Sequence, residues 1–106
     1  MATGVVVAKT TDIPAGEARR FEIDGRWVAV ANLGPDGFRA VDAICSHQHA
    51  WLDEGEVDVE ETTIECPLHG STFSLDSGAV TCLPATQPVA VYPVTIDNDD
   101  ILIEVL

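Results

Sequence analysis

The cysteines and histidines of this 106-residue chain all fall between positions 45 and 82. Four of them form two tight pairs. Cys45-Ser46-His47 is followed, after 18 residues, by Cys66-Pro67-Leu68-His69. The pattern is Cys-x-His, a spacer, then Cys-x-x-His. Two loops of this kind facing each other offer two thiolates and two imidazoles to one metal centre. Tetrahedral zinc accepts that donor set. Zinc fingers, however, usually keep a cysteine pair apart from a histidine pair carried on a helix. A [2Fe–2S] cluster with mixed ligands gives both cysteines to one iron and both histidines to the other. Two loops that each hold one cysteine and one histidine suit that division. The third cysteine, Cys82, reads as a small buried or loop residue. His49 reads as a surface histidine beside the site, because Cys-x-x-x-His departs from the pattern. An odd number of cysteines argues for metal or redox chemistry over a disulfide framework.

The elements that must position these loops read as short β runs between turns. Val5 to Ala8 is a small apolar run. Ala18 to Ile23 and Arg26 to Leu33 flank Asp24-Gly25, the strongest hairpin signal in the chain. Phe38 to Ile44 returns after the turn Leu33-Gly34-Pro35-Asp36-Gly37. Thr62 to Glu65 and Thr72 to Leu75 are short strand candidates. Val89 to Ile96 and Ile101 to Val105 form a last hairpin, and Pro93 marks an edge strand or a bulge. No window sustains a helical period; one short helical turn fits near Ala50 to Glu54. The reading is a small antiparallel β domain interrupted by one long irregular excursion, about 45–86. Such excursions in a compact domain are usually functional. Trp27 reads as core, and Trp51 as packing the excursion against the base. Gly70 and Gly78 read as turn positions with unusual backbone angles.

At these residues the sequence resembles a known family. Cys45-Ser46-His47-Gln48-His49-Ala50-Trp51-Leu52-Asp53-Glu54-Gly55 and Cys66-Pro67-Leu68-His69-Gly70-Ser71-Thr72-Phe73 are similar to the two boxes of Rieske [2Fe–2S] proteins. Leu83-Pro84-Ala85 looks like the family's cluster-covering proline loop. The resemblance spans almost the whole chain, although the spacer is slightly longer than usual, the excess falling in Val57 to Thr62. It implies an all-β fold: an antiparallel sandwich or barrel-like base of about 1–43 and 87–106, with a cluster-binding subdomain inserted at about 44–86. It implies one [2Fe–2S] cluster held by Cys45, His47, Cys66 and His69. The cysteines would hold the iron that stays ferric, and the histidines the reducible one. Two ferric ions, two sulfides and two thiolates sum to zero with neutral imidazoles, so reduction reaches only −1 and the potential rises over all-thiolate ligation. High-potential members add a disulfide between the cluster loops. Ala50 and Leu68 stand at those positions here. Ser71 matches a hydroxyl those members place near the cluster sulfurs, but Phe73 stands where they carry a tyrosine. The expected potential is toward the low part of the mixed-ligand range.

The chain's size and single domain resemble the small ferredoxins of bacterial ring-hydroxylating oxygenase systems. That likeness implies an electron carrier without catalysis of its own, between an NAD(P)H-dependent ferredoxin reductase and a terminal oxygenase with a basic docking face. Alternatives are a Rieske subunit of another redox system, such as cluster assembly or nitrite reduction, and a structural zinc-binding module. With the four ligands committed, only His49 remains, which is too few for a second iron site of two histidines and a carboxylate. No glycine-rich phosphate loop is present.

Charge adds to this reading. The chain holds 18 acidic and 5 basic residues, for a net charge of −13. Lys9, Arg19, Arg20, Arg26 and Arg39 all lie in the first 39 residues, where five acids balance them. The rest of the chain therefore carries the whole −13. That makes nucleic acid and anionic membrane poor partners. No apolar run is long enough for a membrane-spanning helix. The N-terminus lacks the pattern of a secretion signal, so a cytoplasmic location is expected, and a monomer suits a shuttling carrier. Seven acids lie between the ligand pairs: Asp53, Glu54, Glu56, Asp58, Glu60, Glu61 and Glu65. They are a candidate docking face.

Overall fold

A computed structural model describes residues 4–46, 50–68, 70–83 and 85–105. The described chain forms eleven strands, every pair antiparallel, with three single 3-10 turns and no α-helix. In chain order the strands are β1 (Val5–Lys9), β2 (Ala18–Ile23), β3 (Arg26–Asn32), β4 (Phe38–Asp42), β5 (Val57–Asp58), β6 (Thr63–Glu65), β7 (Thr72–Ser74), β8 (Val80–Cys82), β9 (Val91–Tyr92), β10 (Val94–Asp97) and β11 (Asp100–Ile103). They make three sheets, ordered β1-β11-β10, β2-β3-β4-β9 and β5-β6-β7-β8.

The β2–β3 hairpin turns at Asp24 and Gly25, with φ of 51° and 84°. Both angles are positive, as a two-residue turn matched to strand twist requires. Along β3, Val28, Ala29, Val30 and Ala31 are all fully buried. A strand presents alternate residues to opposite faces, and β3 shows the consequence. Val28 and Val30 join a core with Ile101 and Ile103 of β11. Ala29 and Ala31 join a second core with Cys45, Ile64, Cys66 and Phe73. The β2-β3-β4-β9 sheet is thus a shared layer. Its branched face packs on the β1-β11-β10 sheet, and its alanine face receives the excursion. Small side chains there let the loops that follow β4 and β6 come close to the sheet. Burying each valine is worth roughly 1.5–3 kcal/mol.

Three features differ from the sequence reading. The excursion is not irregular, because 57–82 folds into a four-stranded sheet. Its outer strands are only two and three residues long, too short for alternation to show. The run from Val89 to Ile96 is not one strand. It divides at Pro93, and β9 pairs with β4 while β10 pairs with β11. Proline has no N–H to give a ladder, and both halves lie at sheet edges, where that loss is tolerated. Trp27 is not core: it is 37% exposed, because Arg26 and Trp27 precede the stretch of β3 covered on both faces.

Candidate metal centre

Two turns of backbone bring the cysteines inward. After β4 the chain passes Ile44, which pairs with Trp51 in an isolated antiparallel bridge. The Cys45 N–H donates to the Ala50 carbonyl at 2.9 Å, and the Leu52 N–H to the Ala43 carbonyl at 2.7 Å. These bonds close the neck of the first loop, 45–50. At the second loop, the Cys66 N–H donates to the Ser71 carbonyl at 2.7 Å, and the Gly70 N–H to the Cys66 carbonyl at 3.1 Å. Gly70 has φ of 76°, the left-handed geometry this tight return needs. Both cysteines are buried, belong to one core cluster, and form no disulfide. His47, His49 and His69 lie outside the described residues, as do Gln48 and Pro84.

The loop segment 85–87 meets both cysteine loops. Ser46 donates its hydroxyl to the Gln87 carbonyl. Ser71, fully buried, accepts the Ala85 N–H at 3.0 Å. Accepting that bond leaves the hydroxyl proton of Ser71 to give elsewhere. Ala85 is fully buried, while Leu68 and Leu83 are 60% and 69% exposed.

Gly55 governs how the two cysteine loops meet. A Cβ there would lie 1.6 Å from the Glu65 carbonyl oxygen. Its backbone angle is ordinary, so only tertiary contact reveals the constraint. The backbone that ends the first loop's neck crosses directly over the residue before Cys66, and the Glu65 N–H donates to the Glu56 carbonyl beside it at 2.8 Å. The motif places Gly55 in the sequence without telling what it does. Gly78 is a second crossing point, with φ of 78° and the Val89 oxygen 2.0 Å from a would-be Cβ. Cys82 is exposed on β8, and the expectation of a buried or loop residue is corrected: β8 is an edge strand.

The charges are arranged across the junction. Arg20 of β2 donates to Asp53 and Glu54 at 3.3 and 3.1 Å. Its bond to Glu54, with Asp53 close by, holds the guanidinium pKa above its usual value. Arg39 of β4 donates to Asp76 at 2.8 Å. Asp53 and Glu54 are therefore tied to Arg20 of β2, with the Asp53 carboxylate largely covered and that of Glu54 still exposed. Among the described residues, Glu56, Asp58, Glu60, Glu61 and Glu65 take part in no ion pair. Glu56, Asp58, Glu60 and Glu65 line one concavity of about 380 Å³.

Two buried free thiols, of a residue type that binds iron and brought into one core from two loops, fit a cluster and would be costly as lone thiolates without a cation to neutralise them. Comparison with known proteins decides the family. The Rieske [2Fe–2S] domain model matches residues 3–93. The chain belongs to the Rieske family. This Rieske domain is 38% identical over 100 residues to the 3-phenylpropionate/cinnamic acid dioxygenase ferredoxin subunit of Escherichia coli strain K12, covering 94% of the chain and 92% of that relative. It superposes on the ferredoxin of carbazole 1,9a-dioxygenase from Nocardioides aromaticivorans IC177 with a TM-score of 0.91 and 38% identity, covering 96% and 97% of the two chains. A ferredoxin solved in complex with the reduced oxygenase of carbazole 1,9a-dioxygenase gives 0.86 and 31%, covering 94% and 100%. The all-β Rieske fold and a Rieske-type cluster follow. No helix among the described residues is long and apolar enough to cross a membrane.

Proposed function

We propose that the protein is a one-electron carrier of an aromatic ring-hydroxylating oxygenase system, with its [2Fe–2S] cluster held by Cys45, His47, Cys66 and His69. The observation that carries this reading is the burial of Cys45 and Cys66 in one core cluster. Each opens a loop whose sequence continues to a histidine, in a chain similar over nearly its whole length to ferredoxin subunits. When bound, the cluster takes up and gives back one electron. Cys45 and Cys66 supply thiolates from a water-poor core. His47 and His69 supply neutral imidazoles, which keep the total charge low. Donors are an NAD(P)H-dependent reductase, and the acceptor is a terminal oxygenase; the solved ferredoxin–oxygenase complex of a relative supports that pairing. The site of action is the cytoplasm, and the working unit is a monomer. The division into a base of about 1–43 and 87–106 and a cluster-binding subdomain of about 44–86 belongs to the same reading. The direct test is NAD(P)H-driven product formation in a reconstituted mixture of reductase, ferredoxin and oxygenase. Turnover should disappear when this protein is omitted; unchanged turnover would refute the reading.

The unpaired acids predict a salt effect. Exposed charges are screened over about 8–10 Å at physiological ionic strength. Raising salt should lower the second-order rate of oxygenase reduction by about tenfold or more, the scale of electrostatic steering. Stopped-flow rates flat in salt would remove these acids from docking.

Ser71 sets a second expectation. Replacing it with alanine removes the hydroxyl and leaves the buried Ala85 N–H without its acceptor. The potential should fall by about 60 mV, the equivalent of tenfold in a one-electron equilibrium. The unpaired amide should cost about 1–3 kcal/mol of stability. Potentiometric titration beside chemical denaturation reads both; a potential unmoved in the S71A variant would detach the hydroxyl from the cluster.

A further inference from the structure

Arg20 lies outside both cysteine loops, on β2 opposite Ala29 of β3. Three side chains that follow the first loop nevertheless converge on it. Its guanidinium carbon stands 4.2 Å from the centroid of the Trp51 ring. The same group donates to Asp53 and Glu54. Trp51 in turn meets Trp27 of β3 edge-on, with centroids 5.3 Å apart and planes at 69°. The Asp53 side chain is only 11% exposed, so its carboxylate has lost most of its water and depends on this partner. Trp51 pairs with Ile44 at the neck that holds Cys45. A planar cation can stack on an aromatic face and fork to carboxylates at once; lysine cannot do both. Among the described residues, Arg39 makes the other ion pair between base and excursion, but Asp76 is 62% exposed, and no ring is stacked there.

We propose that Arg20 is a positioning residue for the cluster, fixing the seat of the first ligand loop on the central sheet through Trp51, Asp53 and Glu54. This rests on the reading that Cys45 and His47 are ligands. Loss of the clamp frees the neck at Ile44 and Trp51, so the loop samples more than one seat. The cluster then sits in a less uniform environment and is reached more readily by competitors for iron.

The test compares R20M, R20K and R39Q holoproteins. Iron loss to a chelator should be about tenfold faster in R20M than in wild type, the scale of a cation–π contact plus a part-buried ion pair. R20K should fall between them, and R39Q should stay near wild type. The electron paramagnetic resonance lines of reduced R20M should broaden, and the Cys45 and Leu52 amides should exchange faster with deuterium. A general loss of stability would speed exchange throughout the domain and not at the Cys45 and Leu52 amides in particular. If R20M fails to fold, R20K decides: iron loss and line width equal to those of R39Q would overturn the proposal, as would R20M behaving like R39Q. A wild-type protein without an iron–sulfur cluster would instead overturn the ligand reading, so the two failures are distinguishable.

Discussion

Replacement of His69 by alanine is expected to yield protein with little or no cluster, and with no measurable electron transfer to an oxygenase. Four ligands fill the four terminal positions of a [2Fe–2S] centre, so losing one leaves an iron with an open site. Cys66→Ala should act the same way, and it also removes a thiolate whose charge the irons require. The expected iron content is a small fraction of the two per chain of the wild type. His49→Ala should be the contrasting variant, with full iron and an unchanged spectrum. Iron analysis together with visible absorbance checks all three. Loss of iron in H49A alongside full loading in H47A would move the first loop's ligand from His47 to His49.

Gly55→Ala is expected to be the most damaging change outside the ligands. The added methyl would fall 1.6 Å from the Glu65 carbonyl oxygen, a backbone atom that cannot swing away as a side chain can. The strand must shift, and the bond from the Glu65 N–H to the Glu56 carbonyl goes with it. Overpacking a dense interior typically costs about 1–3 kcal/mol and sometimes more. Contact with backbone places this case at or above about 3 kcal/mol. Cys66 is the next residue, so cluster loading should fall as well. Denaturation midpoints with iron content give the measurement. An alanine variant with wild-type stability and full iron would mean that the crossing is far looser than the structure places it.

The type of cluster was the most legible part of the sequence, because cysteines and histidines at fixed spacing carry their own meaning. The Asp24-Gly25 turn was legible too, since both positions need positive φ and few residue types accept it. Strands β5 and β8 were not. They exist because β6 and β7 offer hydrogen-bonding edges, and a pairing partner leaves no mark on a run of two or three residues. Val89 to Ile96 hid its division because β-forming residues stand on both sides of Pro93, and only the pairing partners differ. The charges were visible, but their pairing was not. Arg20 and Asp53 stand 33 positions apart, and nothing local shows that an arginine on β2 reaches two of the seven acids between the ligand pairs. Gly55 carries a constraint of tertiary origin at an ordinary backbone angle, which no local rule detects.

On the proposed reading, His47 and His69 hold one iron of the cluster, and Cys45 and Cys66 hold the other. Pulsed electron paramagnetic resonance of the dithionite-reduced protein tests it most directly. The spectrum should show hyperfine coupling to two strongly coupled imidazole nitrogens, both retained in H49A. Absence of strong nitrogen coupling, as in an all-thiolate centre, or a colourless protein carrying zinc would contradict it.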